Sequence, residues 1–344
     1  MGVLVREVAA LYEARRAGVE ARLPELPVQY ADFAAWQRAY LGGGVLEKQL
    51  SYWKGQLAGA PVIELPADRP RPEEQTHSGA QHPVRLDEGL AEALRSLSRG
   101  EGATLYMTML AAFATLLNHL TGRRDIVVGT DVANRNQVET EGLIGFFVNQ
   151  LAMRVRVDGD LTFRELLRGV RQIALEAYAH QEAPFDRVVD ALGVERSLKY
   201  SPLFQVKLVL QNTPSAEAEA PGLRLSNVEI DRGTSQLDLN LRLTEFDGAI
   251  YGSAEYSTDL FDRQTIARLL RGFELLLGEV AERPDARVSE LVAAVAAAES
   301  RQREERGREL KQSISDKLKN RRRATSGRPT EGDATPAEVA AVAE

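Results

Sequence analysis

The chain has 344 residues, of which 44% are hydrophobic and 27% charged, and its formal net charge at pH 7 is −7. This length allows two domains or one large domain with two lobes, and the acidic balance argues against a nucleic-acid partner. The sequence contains no cysteine, which excludes disulfides, thiolate metal sites and a cysteine nucleophile. No apolar run approaches the roughly 18 residues needed to cross a bilayer, so we expect a cytoplasmic protein with no membrane partner.

Three helices are predicted in the first part of the chain. Apolar residues recur at helical spacing over residues 3–12, 30–40 and 45–57. The following segment, residues 59–83, is polar and contains five prolines, so we expect little regular structure there. We therefore place a boundary at the end of this segment and treat residues 1–80 and 81–291 as two parts of the fold.

Strands and helices alternate beyond this boundary. The patterns predict strands over residues 84–86, 125–130, 151–157, 204–210, 237–243 and 249–256, and helices over residues 88–99, 105–120, 162–179 and 262–280. Thr104 is the expected N-cap of the second of these helices, and Gly122 follows its end. Interleaved strands and helices indicate an α/β or α+β sandwich.

The composition changes after Leu291. Residues 301–328 contain eleven Lys and Arg against four Asp and Glu, a local charge of +7, and residues 333–344 are low-complexity Ala, Val and Glu. We expect residues 292–344 to be a basic helical linker that ends in a disordered tail. Whether this linker leads to a following domain or acts as a docking helix is left open by the sequence.

The motif Ile144-Gly145-Phe146-Phe147-Val148-Asn149-Gln150 joins an apolar run to two amides. The apolar residues predict a buried strand, and Gly145 indicates a bulge or a close backbone approach. A buried amide without a partner costs roughly 1–3 kcal/mol. Asn149 and Gln150 therefore either close structural hydrogen bonds or face a polar tunnel, and we take this 144–150 motif as the wall of a functional site.

Metal and nucleophile chemistry find little support in the sequence. The four histidines, His77, His82, His119 and His180, have no metal-binding spacing, and no phosphate loop ends in Gly-Lys-Ser/Thr. No serine lies in a nucleophile elbow. We predict no metal site and no bound cofactor, and we expect His180 to cap the helix that it ends.

Four motifs follow one another along the chain. They are Tyr30-Ala31-Asp32-Phe33-Ala34-Ala35-Trp36, the 144–150 motif, His180-Gln181-Glu182-Ala183-Pro184-Phe185-Asp186 and Ser201-Pro202-Leu203-Phe204-Gln205-Val206. In this order and spacing they resemble the condensation domain of nonribosomal peptide synthetases, with supporting matches at residues 65–70, 125–130 and 256–261. The resemblance covers residues 1–291 and leaves out the basic tail.

The resemblance implies an acyltransferase fold like that of chloramphenicol acetyltransferase, an α/β (α+β) sandwich with two lobes and a tunnel between them. Donor and acceptor aminoacyl or peptidyl groups would enter the tunnel as thioesters on two partner carrier proteins. The acceptor amine would attack the donor thioester, and an amide would form. Phosphopantetheine would be present only as the tether on the carrier proteins.

The resemblance also implies roles for individual residues. Asn149 would line the tunnel near the reacting centre, and Gly145, Phe147 and Gln150 would shape its wall. Supporting structure would come from Tyr30, Asp32, Trp36, His180, Gln181, Pro184 and Phe185. A buried structural amide is the alternative interpretation of Asn149.

The family's catalytic motif, His-His-x-x-x-Asp-Gly, has no counterpart, because no two histidines are adjacent in this sequence. Residues 1–7 resemble the helix that follows that motif. We therefore expect an incomplete N-terminal lobe, with residues 1–80 as its C-terminal remainder and the linker, and residues 81–291 as the C-terminal lobe. We assign no catalytic residue and expect the chain alone to be inactive, since positioned proton transfer typically contributes about 10²–10⁴-fold.

An upstream chain or adjacent synthetase domains would then supply the rest of the active site. Other interpretations stay open. A non-catalytic module that binds carrier proteins or other partners is one alternative. An epimerisation domain, which shares the fold, and a free acyl-CoA acyltransferase rank lower. The sequence does not name the amino acids joined, the donor stereochemistry or the final peptide.

Overall fold

The computed structural model describes residues 2–195, 197–211, 218–220, 222–225, 228, 230–301, 304 and 308. The chain divides into two compact units, Met1–Val295 and Ala296–Glu344. In the second unit the structure describes residues 296–301, 304 and 308, so the predicted basic linker and disordered tail lie mostly outside the described residues. The predicted parts 1–80 and 81–291 both fall in the first unit, and a functional division at residue 80 stays a prediction.

Helices and strands alternate through the first unit. The helices are α1 (Gly2–Ala17), α2 (Tyr30–Gly42), α3 (Val45–Leu57), α4 (Glu88–Gly100), α5 (Leu105–Thr121), α6 (Phe163–Ala179), α7 (Phe185–Leu192) and α8 (Arg263–Glu282). The strands are β1 (Gly79–Leu86), β2 (Asp125–Val132), β3 (Asn149–Arg156), β4 (Val206–Gln211), β5 (Ala218–Ala220), β6 (Leu223–Leu225), β7 (Leu239–Phe246) and β8 (Ala249–Ser257). A 3₁₀ turn covers Val138–Thr140, and residues 288–295 are helical as well.

One six-stranded mixed sheet organises this unit. Its strand order is β1-β8-β7-β4-β2-β3, and β5 and β6 form a separate two-stranded sheet. The pairs β1–β8, β7–β8 and β2–β3 are antiparallel, whereas β4 runs parallel to both β2 and β7. Strand β1 is at an edge of the sheet, a position that tolerates Pro83 because proline has no N–H to donate to a further strand.

The core lies between one face of this sheet and the helices α4, α5, α6 and α8. Helix α5 contacts α6 and α8 and is buried from Leu105 to Leu117. Alternate strand residues such as Leu239, Leu241 and Leu243 are buried in the same core, which leaves the residues between them for the opposite face of the sheet. Among the described residues, no single helix has the length and apolar composition of a membrane span, although the pair α4 and α5, bent by 104°, meets these criteria jointly.

The segment before β1 packs on the same core. It contributes the buried side chains of Trp53, Leu57, Ile63 and Leu65. The guanidinium of Arg154 on β3 donates hydrogen bonds of 2.9 Å to the carbonyl oxygens of Gln56 and Ala58. The last carbonyl oxygens of a helix have no N–H partner within the helix, and these two hydrogen bonds provide one at the C-terminal end of α3.

Two predictions about the elements were wrong, and one helix was missed. Residues 144–148 were expected to form a strand, but pairing begins only at Asn149, opposite Val132 at the end of β2. Strand β1 begins at Gly79 instead of residue 84, because an edge strand can include Pro83. The eight-residue helix α7 was not predicted, since two turns are too short for a clear periodicity.

Candidate functional site

The 30–36 and 144–150 motifs meet in an aromatic cluster. The hydroxyl of Tyr30 donates a hydrogen bond of 2.9 Å to the carbonyl oxygen of Phe146. The ring of Phe147 lies 5.2 Å from the Tyr30 ring and 4.6 Å from the Phe33 ring, centroid to centroid. Phe147 is only 4% exposed, and the Arg135 guanidinium lies 4.0 Å from its centroid. Phe147 therefore anchors the loop 144–148 to α2.

The absence of a side chain at Gly145 allows this packing. A Cβ atom at this position would lie 2.2 Å from Cδ2 of Tyr30 and 2.9 Å from Cε2 of Phe147. Both separations are far below the ~3.5–4.0 Å optimum for carbon atoms in contact. The close approach predicted at Gly145 is thus an approach of the Tyr30 ring to its backbone.

Asp32 and Trp36 act within α2 and its surroundings. The Asp32 carboxylate accepts a hydrogen bond of 2.8 Å from the backbone N–H of Gln29. This hydrogen bond gives a partner to the backbone N–H of the N-cap residue. A negative charge is also favourable at the N-terminal end of a helix. The Trp36 ring stacks on Tyr40 with centroids 5.0 Å apart and remains 42% exposed.

Asn149 joins the 144–150 motif to the 180–186 motif. Its Nδ2 donates hydrogen bonds to the carbonyl oxygens of Gln181, at 2.8 Å, and Ala183, at 2.7 Å. Its Oδ1 accepts a hydrogen bond of 3.1 Å from the backbone N–H of Phe185. Both ends of the amide therefore have partners, all of them backbone groups of one short segment. This geometry matches the structural-amide interpretation of Asn149, and its predicted tunnel role stays a prediction.

His180 lies at the C-cap of α6, the capping position predicted from the sequence. Its Nδ1 is 2.8 Å from the carbonyl oxygen of Glu176, and its ring stacks on Tyr52 with centroids 4.0 Å apart. Burial, together with the nearby Glu176 carboxylate, raises the pKa of the Tyr52 hydroxyl to about 12. The carbonyl oxygen of His180 accepts a hydrogen bond of 2.9 Å from Nε1 of Trp53.

Pro184 and Phe185 continue the 180–186 motif into α7. Pro184 is the N-cap residue of this helix, and the Phe185 ring lies 5.4 Å from the ring of Phe204. The 201–206 motif is fixed through Gln205, whose side chain accepts a hydrogen bond from the N–H of Ile63, at 2.8 Å, and donates one to Ser201, at 3.0 Å. All four motifs therefore serve to join separate segments around the sheet.

A polar cleft of about 740 Å³ lies on the sheet face opposite the core. Its floor consists of residues that alternate with the core residues of β4, β7 and β8, namely Lys207, Asn240, Arg242, Tyr251, Ser253 and Glu255. Gln150 and Phe185 form part of its wall. Of the predicted tunnel residues, Gln150 thus lies in the cleft, whereas Gly145 and Phe147 pack against α2.

Charged groups of both signs occupy the cleft floor. Lys207 is 7% exposed, and its Nζ lies 3.1 Å from a carboxylate oxygen of Asp131. Arg242 lies 3.9 Å from the carboxylate of Glu255. With its amide oxygen oriented toward Arg242, Asn240 accepts two hydrogen bonds of 3.0 and 3.1 Å from the guanidinium. This floor can bind and orient a polar ligand. Among the described residues, no group of three or more His, Asp or Glu is arranged to hold a metal ion.

Sequence reasoning missed these floor residues. The signal was present in Leu239-Asn240-Leu241-Arg242-Leu243-Thr244, where apolar and polar residues alternate strictly. Such alternation is typical of a strand with one buried and one polar face. Lys207 between Val206 and Leu208 is a further instance.

Comparison with known proteins gives consistent matches. The family model described as Condensation domain matches residues 1–302. One of the linear gramicidin synthase proteins of Brevibacillus parabrevis is 50% identical over 287 residues, which cover 83% of this chain and 4% of that protein. Malpinin synthetase of Mortierella alpina is 44% identical over 269 residues, which cover 78% of this chain and 4% of that protein. The chain therefore spans only a small part of the curated relatives that it matches.

Solved structures show the same similarity. The crystal structure of the X-domain from teicoplanin biosynthesis is 33% identical with a TM-score of 0.75, and the match covers 84% of this chain and 67% of that chain. The complex of the X-domain and OxyB from teicoplanin biosynthesis gives 33% identity and a TM-score of 0.74, covering 84% and 65% of the two chains. With the mixed sheet described above, these neighbours confirm the predicted α/β fold, which resembles chloramphenicol acetyltransferase.

Proposed function

This chain belongs to the condensation-domain family of nonribosomal peptide synthetases, and we propose that its polar cleft takes part in amide formation between two carrier-bound thioesters. The observation that carries the proposal is the 740 Å³ cleft with Gln150 in its wall and polar side chains across its floor. A pantetheine arm contains amide and hydroxyl groups, which such a floor can hydrogen-bond. Phosphopantetheine enters this proposal as the tether of the substrates on partner carrier proteins.

In the proposed reaction the amine nitrogen of the acceptor attacks the carbonyl carbon of the donor thioester. The new C–N bond forms, the C–S bond breaks, and the departing thiolate takes up the proton that the amine loses. The contribution of this chain is to position the reactants. Asn149 holds the segment 181–185, and so places Phe185 and the start of β3 at the cleft.

The 344 residues include four histidines and no adjacent pair, so we propose that the chain by itself supplies no His-His-x-x-x-Asp-Gly proton-transfer group. Residues from an upstream chain or from adjacent synthetase domains would provide it. A cytoplasmic location, predicted from a sequence without cysteine and without a membrane-spanning apolar run, belongs to the same proposal.

A reconstitution assay tests the proposed function. Two carrier proteins, one loaded with a donor and one with an acceptor aminoacyl thioester, are mixed with the chain, and dipeptidyl thioester is measured by mass spectrometry. We expect no product above the uncatalysed rate with the chain alone, and product once a polypeptide containing the His-His motif is added. Turnover by the chain alone would show that this motif is not needed. If the complete mixture shows no turnover and no carrier binding, the proposed function is overturned.

A non-catalytic interaction module is the second candidate. It is favoured by the solved complex of the teicoplanin X-domain with OxyB, in which a domain 33% identical to this chain is bound to another protein. For this candidate, the reconstitution assay would give carrier or partner binding without product, even after the His-His motif is supplied.

A further inference from the structure

Cations outnumber acids in the lining of the polar cleft. Among the described lining residues, Lys207, Arg232 and Arg242 are cationic, and Glu255 is acidic. Asp131 offsets the charge of Lys207 through their contact at 3.1 Å. Arg242 is 3.9 Å from Glu255, which is longer than a direct hydrogen bond, and Arg232 is exposed. Asn240 accepts hydrogen bonds from Nε and Nη2 of Arg242. Three of the five guanidinium N–H groups of Arg242, two on Nη1 and one on Nη2, therefore remain as donors for an anionic ligand.

The strand register gathers these groups on one area of the floor. Lys207 on β4 pairs with Asn240 on β7, and Asn240 pairs with Glu255 on β8. Arg242 follows Asn240 by two residues, so its side chain projects from the same face of β7. An aliphatic ligand would desolvate these polar groups without giving them partners, and a site of that kind discriminates strongly against apolar ligands.

We propose that the cleft selects an aminoacyl group whose side chain carries a carboxylate, and that Arg242 binds this carboxylate. The planar guanidinium fork matches the two oxygens of a carboxylate, which is why arginine serves bidentate recognition. The inference rests on the proposed function, because it takes the cleft as the place that receives an aminoacyl thioester. It adds the chemical class of the side chain.

Binding of stable analogues tests this selection without turnover. Pantetheine joined through an amide bond to glutamate, glutamine or leucine is titrated into the 344-residue chain by calorimetry. We expect the glutamate analogue to bind about tenfold more tightly than the other two, because its contact with the guanidinium is charge-assisted. The preference should fall to about twofold or less in Arg242→Gln. Arg268→Gln, at an exposed position on α8, is the matched control and should retain it.

Each outcome separates the two proposals. Equal affinity for the three analogues overturns the selection but leaves the proposed function standing, since a pantetheine-linked ligand still binds. No binding of any analogue or of phosphopantetheine overturns both. The contribution of the phosphate is the difference in affinity between phosphopantetheine and pantetheine. If Arg242→Gln reduces only this difference, Arg242 binds the phosphate of the tether, and the proposed selection of a carboxylate side chain is overturned. Arg242→Lys is a second variant in case Arg242→Gln does not fold, because it keeps the positive charge and loses the planar fork. It should reduce the preference for the glutamate analogue, and an unchanged preference would overturn the role of the guanidinium.

Discussion

The side-chain amide of Asn149 donates a hydrogen bond of 2.7 Å to the carbonyl oxygen of Ala183. The first residue of β3 is thereby tied to the segment that leads into α7. Because side chains alternate along a strand, fixing Asn149 on the helix side directs Gln150 to the cleft side. A structural hydrogen bond thus determines which residue the cleft receives.

Asn149→Ala should lower the free energy of unfolding by about 1–3 kcal/mol, because it leaves backbone groups of residues 181, 183 and 185 without their partner. Urea denaturation measures the loss. Asn118→Ala is the matched control, since the Asn118 side chain donates a hydrogen bond of 2.8 Å to the carbonyl oxygen of the exposed Arg123. A loss at Asn149 no larger than that at Asn118 would contradict the structural role.

A tunnel role for Asn149 predicts an additional effect on activity. In a mixture that supplies the His-His motif, Asn149→Ala should reduce the condensation rate more than the fraction of unfolded protein accounts for. The comparison is made well below the unfolding midpoint, where both proteins are folded. An unchanged rate would leave Asn149 with its structural role alone.

Gly145→Ala should destabilise the fold by about 1–3 kcal/mol, because the new Cβ would displace the ring of Tyr30. Gly169→Ala, in the interior of α6 with open space around it, is expected to be neutral or stabilising by up to about 1 kcal/mol. Thermal or urea unfolding of the two variants decides the point. Combining Gly145→Ala with Tyr30→Ala should give less than the sum of the two losses.

Removing one member of the Lys207–Asp131 pair should cost more than removing both. Asp131→Asn leaves Lys207 as an uncompensated charge at 7% exposure, which we expect to cost about 3 kcal/mol. The double variant Lys207→Met with Asp131→Asn should recover much of this loss. Glu92→Gln, which breaks the pairs of the exposed Glu92 carboxylate with Arg95 and Arg99, should have little effect. Additive losses at positions 131 and 207 would contradict the coupling.

The Asp125–Arg154 pair predicts a pH dependence. Hydrogen bonds from Arg154 hold the pKa of the Asp125 carboxyl below its ordinary value. The contribution of this pair is therefore fully present above the unfolded value of about 4 and is lost as the pH falls through the folded value. The stability gap between the unchanged chain and Asp125→Asn should narrow from pH 7 to pH 3 in urea titrations. A gap of constant size would contradict the pair's role.

Much of the fold was predictable because its elements carry strong local signals. Helix α5 has a Thr104 N-cap, a long apolar run and Gly122 in the left-handed conformation at its C-cap, and the sequence predicted its limits to within one residue. The limits of the antiparallel strand β8 were also predicted to within one residue. Where local preference and tertiary packing agree, sequence patterns suffice.

The candidate site was harder to predict, because its partners are distant in sequence. Gly145 and Tyr30 are adjacent in space, but nothing local to either residue shows that the aromatic ring replaces a strand partner for residues 144–148. The three partners of Asn149 are backbone groups, which leave no mark on the sequence. The cleft floor was missed because alternation shows that one face of a strand is polar, but it does not show whether that face meets solvent or a ligand.

Residues on the core face of the sheet and residues on its cleft face can vary independently of each other. Leu241 and Leu243 are buried with the helices, while Arg242 between them reaches the cleft. A change at position 242 can alter what the cleft recognises and leave the packing of its neighbours intact. Under the proposed function, substitutions at every second residue of β4, β7 and β8 would change what the cleft binds while the hydrophobic core stayed the same.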